Sequence, residues 1–447
     1  MPLSSLNDEQ LSAATAPLGH NLIIASAGTG KTSTIVGRIA HLLHQGIEPS
    51  KILLLTFTNK AAGEMIARLE RYFPKKVVSK IESGTFHAVS YRWLKEIYPN
   101  LALKQPSELK TLFKSIYEKR NFERMNLSVQ PFSATYLYEM YSLYQNASLE
   151  GFDSWFLEKY PDHEPVMDIY MDISQEFEAE KIKYGFASFN DLLLRMKAHL
   201  EENTILFNEV LVDEYQDTNT LQSALIDVLK PRSLFCVGDY DQSIYAFNGA
   251  NIENIATYSK RYPDANVFTL KTNYRSTAPI LSLANRVIER NERIYPKKLE
   301  VGRVMKSYPP KLLMYNDLFE QYQSIAEGIK RTHVPNDQIA VIFRNNSSAD
   351  GVEASLREYG IPCKRKGGTS FFDAKEIKFL LDLLALLVNP KDMMAFIHVF
   401  EYARGVGSAL SKEFFQCFLH FGAGHFMQGV LHPRVHDLPK LNPNKNV

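Results

Sequence analysis

The length of 447 residues is too great for one hydrophobic core, so two to four domains are expected. Hydrophobic residues make up 45% of the chain and charged residues 23%, which is ordinary for a soluble globular protein. Lysine and arginine total 51 against 50 aspartate and glutamate residues. This balance neither supports nor excludes a nucleic acid as partner, and DNA would need a local basic or aromatic surface.

The cysteines and the chain start indicate the cellular compartment. Cys236, Cys363 and Cys417 are far apart and form no CxxC, which argues against a zinc site or a disulfide framework and fits a reducing compartment. The N-terminus has no basic-then-apolar signal. The longest apolar run, around residues 379–388, is too short to span a bilayer. We therefore expect a soluble cytoplasmic protein with no membrane partner.

The first predicted elements surround a loop of small residues. Leu6–Gln10 predicts a helix start with an asparagine or aspartate cap. The apolar run Leu22–Ile24 predicts a buried strand, and a periodic helix follows to about residue 45. The loop between them runs through Ala25, Ser26, Ala27, Gly28, Thr29, Gly30, Lys31, Thr32 and Ser33.

This loop resembles a phosphate-binding loop, with Ala25 where the general pattern has its first glycine. Gly28 and Gly30 let the backbone curl so that its N–H groups point at an anion, and the helix N-terminus adds partial positive charge. Lys31 would reach the β- and γ-phosphates of a nucleotide, and Thr32 would hold Mg²⁺. The alternative is an ordinary glycine-rich turn between a strand and a helix.

Two more strand units follow this loop. Ile52–Thr58 is nearly all apolar or β-branched, as expected for a parallel strand covered on both faces. A helix containing Met65 and Leu69 comes next, and residues 81–89 predict a third strand. The β-α-β-α-β order predicts a doubly wound parallel sheet.

Residues 91–184 show helical periodicity and no strand signal, which predicts an inserted helical domain. Its tyrosines, such as Tyr136, Tyr138, Tyr141 and Tyr144, fit a core better than a base-stacking surface. The sheet is expected to resume with strands at 210–212, 234–239 and 267–270.

Two acidic residues end the strand at 210–212. Asp213 would bind Mg²⁺, and Glu214 would orient or deprotonate the water that attacks a nucleotide. The helical insertion would then separate Lys31 from these carboxylates in sequence while leaving them in one site. The alternative is a polar strand end followed by a turn.

Side chains that follow the two later strands are weaker candidates. Gln242 could place its amide near a γ-phosphate, while Tyr245 and Phe247 could either present their rings outward or pack in a core. Arg275 could stabilise charge on a transferring phosphoryl group, and Tyr274 could stack on a base. The local sequence alone favours a surface salt bridge over this catalytic role for Arg275.

A second α/β region is predicted beyond residue 300. Strands are expected at 311–315 and 339–343, and helices around 318–332, 350–359 and 375–389. The last stretch, 438–445, is expected to be a loose tail.

Eight segments occur in a fixed order: LNDEQ, ASAGTGKT, TFTNKAA, GTFHA, VDEYQDT, VGDYDQSIYAFNGA, NYRS and GGTSFFDAKEIK. Together they closely resemble the UvrD/Rep/PcrA family of superfamily-one DNA helicases over about residues 5–410. The resemblance implies an α/β fold with a RecA-like P-loop motor domain, a helical insertion and a second, incomplete RecA-like domain. It also implies ATP and Mg²⁺ as cofactors and DNA as partner.

The resemblance assigns a nucleotide site residue by residue. Gln10 matches the glutamine that reads adenine, Tyr274 matches the residue that stacks on adenine, and Arg38 is expected to flank the base. Gln242 matches the γ-phosphate sensor, and Arg275 an arginine supplied by the second motor domain. The catalytic set is Lys31, Glu214, Gln242 and Arg275, the metal set is Thr32 and Asp213, and the nucleotide-binding set is Gln10, Ala25, Ser26, Ala27, Gly28, Thr29, Gly30, Lys31, Thr32, Ser33, Arg38 and Tyr274.

The resemblance also assigns a surface for single-stranded DNA. The matching positions are Phe57, Thr85, His87, Tyr245 and Phe247. Aromatic rings stack on bases without reading sequence, at roughly 1–3 kcal/mol each. His87 has the alternative role of a satisfied core histidine.

Two features depart from the family pattern. Asn248 stands where the family usually has an arginine, which would weaken one contact. The last two motor motifs of the family are not found before Val447. The second motor domain is therefore expected to be incomplete, and a protein partner that supplies the missing motifs is a further expectation.

The expected domains are a first motor domain at 1–90 and 189–270, an insertion at 91–188, a second motor domain at 271–395 and the start of a helical subdomain at 396–447. The predicted function is an ATP-dependent 3′–5′ DNA helicase or translocase on single-stranded or 3′-tailed duplex DNA. The alternative is a non-catalytic ATP- and DNA-binding regulator, assembly subunit or fragment. Repair, replication restart and rolling-circle replication remain open as pathways. A small-molecule kinase is disfavoured, because a kinase does not need the DEYQD and GDYDQSIY segments.

Overall fold

A computed structural model describes residues 2–246, 249–291, 294–295, 297–302, 306–366 and 375–433. The β-strands are β1 (His20–Ala25), β2 (Ile52–Leu55), β3 (Glu82–Gly84), β4 (Ala102–Leu103), β5 (Phe186–Ala187), β6 (Glu209–Val212), β7 (Leu234–Gly238), β8 (Asn266–Leu270), β9 (Thr272–Asn273) and β10 (Glu300–Val301).

The α-helices alternate with the strands of the main sheet and are the main secondary structure in the rest of the chain. They are α1 (Asp8–Ala14), α2 (Lys31–His44), α3 (Asn59–Leu69), α4 (Lys75–Val78), α5 (Phe86–Ile97), α6 (Pro106–Glu118), α7 (Ala134–Ala147), α8 (Phe152–Lys159), α9 (Met167–Tyr184), α10 (Phe189–Glu202), α11 (Thr220–Leu229), α12 (Glu253–Ala256), α13 (Tyr258–Arg261), α14 (Ala278–Ile288), α15 (Leu318–Arg331), α16 (Asn346–Glu358), α17 (Lys375–Val388), α18 (Met393–Phe400), α19 (Ser408–Phe421) and α20 (Phe426–Val430).

Six parallel strands form the main sheet, in the order β3-β2-β6-β7-β1-β8. Successive side chains of a strand point to opposite faces. Accordingly, Leu22 and Ile24 lie in one apolar core while Ile23 lies in the core on the other face. Both faces are covered, which is the usual condition of an all-parallel sheet. The predicted α/β class with a parallel sheet is confirmed.

The sheet places the candidate residues at one edge. The loop after β1, the acidic pair after β6 and the segment after β7 all follow the carboxyl ends of neighbouring parallel strands. Ligands of open α/β sheets bind outside these ends.

The helices between β3 and β6 pack around aromatic side chains. Tyr138 is buried and meets Phe113 and Phe177 edge to face at ring distances of 5.6 and 6.0 Å. Tyr136, by contrast, is 37% exposed, and its hydroxyl lies 2.8 Å from that of Tyr160. The prediction that the tyrosines form a core is therefore right for Tyr138 and wrong for Tyr136.

Two local predictions in the first half of the chain are corrected. The third strand ends at Gly84 and not at Val89, because the Thr85 hydroxyl accepts a hydrogen bond from the Ala88 N–H and caps α5. The stretch predicted to lack strands contains β4, which pairs with β5 in a short two-stranded ladder.

The chain divides into two compact units. The first, unit 1, consists of Met1–Tyr308 and Gly407–Glu413, and the second, unit 2, of Pro309–Val406 and Phe414–Val447. Unit 1 thus runs past residue 270, and the finer domain boundaries given above stay predictions.

In unit 2, α15 and α16 pack around Ala326, Val352 and Leu356. The described residues of unit 2 form no β-strand, so the predictions of strands at 311–315 and 339–343 are wrong for this structure. A β-strand needs a neighbouring strand to which it hydrogen-bonds, and these two segments have none among the described residues. Leu312 is 89% exposed and Ile342 is 93% exposed.

Candidate nucleotide site and nucleic-acid interface

The loop between β1 and α2 has the backbone of an anion cradle. Gly28 and Gly30 adopt φ values of 76° and 89°, a region that side-chain-bearing residues rarely enter. A Cβ on Gly28 would lie 2.6 Å from the Cβ of Arg275, so the close approach also requires glycine. The helix begins at Lys31, and its first N–H groups point away from the helix toward the loop.

Lys31 and Glu214 meet at the centre of the cradle. Lys31 Nζ donates to Glu214 Oε2 at 2.6 Å, although 183 residues separate the two in sequence. Glu214 has φ 51° and ψ 47°, an uncommon conformation for a residue with a side chain. Such strain is retained where the surroundings demand it, and it points to a functional position.

Asp213 provides an oxygen ligand next to this pair. The residue is 8% exposed, and burial, helped by the negative charge of Glu214, raises its pKa to about 6. Its Oδ1 atom has no hydrogen-bond partner among the described residues. A buried carboxylate oxygen without a partner suits Mg²⁺, which binds one or two protein oxygens together with phosphate and water. No cluster of three His, Cys, Asp or Glu side chains that could hold a metal ion occurs in the described part of the chain.

The adenine side of the predicted site involves α1 and the segment after β8. Asn7 caps α1, as the sequence predicts, and its Nδ2 donates to the Tyr274 hydroxyl at 2.7 Å. The Gln10 amide donates from Nε2 to the Thr29 carbonyl at 2.8 Å and accepts at Oε1 from the Asn7 N–H at 3.1 Å. Gln10 therefore links α1 directly to the phosphate loop.

Asn273 is a candidate site residue that was not predicted from the sequence. Its Nδ2 donates to the Ala27 carbonyl at 2.5 Å, while its Oδ1 accepts from the N–H groups of Arg275 and Ser276 at 3.0 and 2.8 Å. The Tyr274 N–H donates to the Gly28 carbonyl at 2.9 Å. The segment that carries Arg275 is therefore fastened to the phosphate loop, and the signal for it was the asparagine inside the NYRS motif.

The structure corrects the expectation for Arg38. The side chain is fully buried and pairs with Glu209, with Nε 3.0 Å from Oε1 and Nη2 3.2 Å from Oε2. Its Nη1 also donates to the Ala14 and Ala16 carbonyls. Position 38 lies on the face of α2 that packs on the sheet. The guanidinium is therefore buried in the core with its hydrogen-bonding groups occupied, and it is not free to flank a base.

A chain of polar contacts extends from Glu214 to the next strand end. Gln216, which is 1% exposed, donates from Nε2 to Glu214 Oε2 at 2.8 Å and accepts at Oε1 from the Asp239 N–H at 2.8 Å. Asp239 in turn accepts from the Gln242 amide and from Lys297 Nζ. Neither Gln216 nor Lys297 was predicted from the sequence. Gln216 lies within the DEYQD motif, whereas no sequence motif indicated Lys297.

Two family models match the chain in succession. The model described as UvrD/REP helicase N-terminal domain matches residues 6–263, and the model described as UvrD-like helicase C-terminal domain matches residues 268–422. The chain belongs to the UvrD/Rep helicase family. The resemblance stated from the motifs is confirmed.

Relatives in this family are similar over most of the chain. The ATP-dependent DNA helicase PcrA of Leuconostoc citreum is 33% identical over 425 residues, covering 91% of this chain and 56% of the relative. PcrA of Bacillus subtilis (strain 168) is 32% identical over 453 residues, covering 96% and 59%. DNA helicase II of Escherichia coli (strain K12) is 33% identical over 422 residues, covering 91% and 57%. The chain thus spans less than two thirds of the length of each.

The UvrD/Rep motifs that follow β2 and β7 bring two aromatic rings together. Phe57 is 47% exposed, and its ring centroid lies 5.0 Å from that of Tyr245, which belongs to a loop almost 190 residues further along the chain. The Thr85 N–H lies 3.4 Å from Asn59 Oδ1, at the start of α5. Phe247 lies outside the described residues.

His87 lies in the first turn of α5 and meets the Phe189 ring edge on at 5.8 Å. Burial lowers its pKa below the ordinary value of 6.5, so the imidazole is neutral at neutral pH. The described helices include none with the length and apolar character needed to cross a membrane.

Proposed function

We propose that this chain is an ATP-dependent motor of the UvrD/Rep type, which hydrolyses MgATP and moves 3′–5′ on single-stranded DNA. The observation that carries the proposal is the Lys31–Glu214 pair of 2.6 Å beside the partnerless Asp213 oxygen. A phosphate cradle, a candidate base and an oxygen ligand for a cation are the parts that phosphoryl transfer to water requires. The names of the similar PcrA proteins agree with this chemistry.

The proposed chemistry begins with an exchange of partners. The phosphates of ATP compete with Glu214 for Lys31, because both are anions that bind the same ammonium group. Glu214, once released, accepts a proton from the attacking water. Thr32 and Asp213 would hold Mg²⁺, which when bound neutralises charge on the phosphates. Gln242 and Arg275 are proposed to contact the γ-phosphate, and Gln10 and Tyr274 the adenine.

The DNA side of the proposal rests on the ring pair Phe57 and Tyr245 at the same edge of the sheet. Bases stack on such rings irrespective of sequence, as a translocating enzyme requires. Thr85, His87 and Phe247 complete the proposed groove, and the substrates are single-stranded or 3′-tailed duplex DNA. The proposed compartment is the cytoplasm, in keeping with the free thiols of all three cysteines.

The test is ATP hydrolysis by the purified chain, measured with and without single-stranded DNA. We expect DNA to stimulate turnover and Lys31→Ala to lower kcat by about 10²–10³-fold, as for the loss of one charge-stabilising donor. Lys80→Ala, at an exposed position before β3, is the matched control and should retain wild-type turnover. DNA-stimulated hydrolysis that survives Lys31→Ala would contradict the proposal.

A second candidate function is a non-catalytic ATP- and DNA-binding subunit that another polypeptide completes. It is favoured by the exposed apolar segments of unit 2, where Leu312, Met314 and Ile342 are 89%, 88% and 93% exposed. Residues 339–343 and 361–366 also border an apolar cleft of about 860 Å³. Unaided unwinding of a 3′-tailed duplex by the purified chain would exclude this candidate, whereas nucleotide binding without turnover would favour it.

A further inference from the structure

Lys297 is a buried cation among acidic residues. Its side chain is 2% exposed and forms ion pairs with Asp239 and with Asp241, the latter at 3.0 Å. Its Nζ also lies 4.2 Å from the centroid of the Tyr240 ring. A buried ammonium group is costly unless it is paired, so these contacts define one position for the side chain.

Asp239 accepts hydrogen bonds from two residues, one through each of its carboxylate oxygens. One carboxylate oxygen, Oδ1, accepts from Lys297, and the other, Oδ2, accepts from the Gln242 amide nitrogen. An amide nitrogen carries two N–H groups, so one can hold Asp239 while the other faces a phosphate oxygen. Asp239 thereby determines the direction of the Gln242 amide.

The backbone of Asp239 continues the contacts toward the candidate base. Its N–H donates to Gln216, and Gln216 donates to Glu214, both at 2.8 Å. Lys31, Glu214, Gln216, Asp239 and Lys297 therefore form a continuous polar chain, hereafter the Lys31–Lys297 relay. All of its members belong to unit 1.

We propose that Lys297 is a positioning residue that controls, through the Lys31–Lys297 relay, how strongly the site prefers a triphosphate over a diphosphate. The inference rests on the proposed function, since it takes Gln242 and Glu214 as the groups near the γ-phosphate. Without Lys297, Asp239 and Asp241 lose their shared cation and repel each other. The Gln242 amide then loses its fixed orientation, whereas the backbone of the phosphate loop, which would hold a diphosphate, is not part of the relay.

The experiment compares equilibrium binding of two probes, a non-hydrolysable MgATP analogue and MgADP, to the full chain. We expect Lys297→Met to lower the ratio of the two affinities about tenfold, which is a differential of about 1.4 kcal/mol, with MgADP affinity nearly unchanged. Lys298→Met is the matched control, because Lys298 is the exposed neighbour, and it should keep the wild-type ratio. Lys297→Arg, which retains the charge, should restore part of the preference; a purely structural loss would change both affinities together.

A second variant protects the test against misfolding. Gln216→Met keeps a similar volume and removes both amide contacts of the relay, so it should also reduce the preference for the triphosphate. If Lys297→Met and Gln216→Met both fold and keep the wild-type ratio, the inference is wrong. A wild-type chain that binds neither probe, or DNA-stimulated hydrolysis that survives Lys31→Ala, overturns the proposed function instead.

Discussion

At the residue scale, the site is organised by pairs of opposite charge. Lys31 and Glu214 are only 12% and 30% exposed in their side chains, so water screens their attraction incompletely. A bound phosphate would replace the carboxylate as the partner of Lys31. In the proposed mechanism, nucleotide binding would therefore also release Glu214 from Lys31.

Arg38 allows a test of the corrected assignment. We expect Arg38→Met to destabilise the fold by about 3–5 kcal/mol, because it leaves Glu209 charged and buried without its partner. The affinity of the folded fraction for MgADP should not change. Urea unfolding and nucleotide titration measure the two effects separately.

The double variant Arg38→Met, Glu209→Leu is the control, since it removes both charges and should recover part of the stability. The opposite pattern, in which Arg38→Met keeps its stability but loses nucleotide affinity, would return Arg38 to the nucleotide site.

At the scale of elements, the carboxyl ends of the strands determine which loops meet. β2 and β7 are separated in the sheet by β6 alone, so the loops that follow them can bring Phe57 and Tyr245 into contact. Phe57 is exposed and Tyr245 is half-buried, so the pair could offer a stacking surface for a base, in line with the proposed DNA contact.

This ring pair yields a prediction for DNA binding. We expect Phe57→Ala to weaken binding of single-stranded DNA by roughly 1–3 kcal/mol without changing the slope of affinity against salt, because the ring contacts bases and not phosphates. Tyr245→Ala added to Phe57→Ala should cost less than the sum of the two single changes, because the rings touch.

Tyr72→Ala provides the control, as Tyr72 is 50% exposed and lies just beyond α3. It should bind DNA like the wild type. An unchanged affinity in Phe57→Ala, or a change in its salt slope, would count against base stacking at this position.

Much of unit 1 could be predicted at this scale from local pattern. The apolar runs at β1, β2, β6 and β7 are buried strands because helices cover both faces of the sheet, whereas β8 forms the partly exposed edge. The end of β3 was misplaced because the hydroxyl of Thr85 converts a β-branched position into a helix cap. A prediction of residues 81–89 from strand propensity alone takes no account of this hydrogen bond from the side chain to the backbone.

The candidate site likewise could be predicted only in part from the sequence. Lys31, Asp213 and Glu214 could be named as candidates because phosphate chemistry demands those residue types in those motifs, and the structure brings Lys31 and Glu214 together, while their roles stay predictions. Gln216, Asn273 and Lys297 could not, because their roles depend on partners that only the folded chain brings within hydrogen-bonding distance. Arg38 was assigned wrongly because its buried partner Glu209 lies 171 residues away.

At the scale of the whole molecule, the two units differ in whether their apolar segments are paired into a sheet. Unit 1 contains a paired six-stranded sheet and the whole polar chain from Lys31 to Lys297. The described part of unit 2 has helical cores but leaves Leu312 and Ile342 in solvent. Strands were predicted there from apolar runs, and the runs alone do not provide the neighbours that make a strand.

The proposed chemistry lies entirely in unit 1, where the phosphate loop would bind ATP and Glu214 would activate the water that attacks it. Both parts depend on residues whose contacts are described within a single compact unit.

The most direct test is Glu214→Gln, which keeps the size of the side chain and removes its basicity. Single-turnover hydrolysis of MgATP on single-stranded DNA should fall by about 10²–10⁴-fold, as expected for the loss of a general base. Binding of MgATP should be retained or strengthened, because the variant no longer competes for Lys31 with a full negative charge. Hydrolysis at the wild-type rate, or a loss of binding that matches the loss of turnover, would contradict the account.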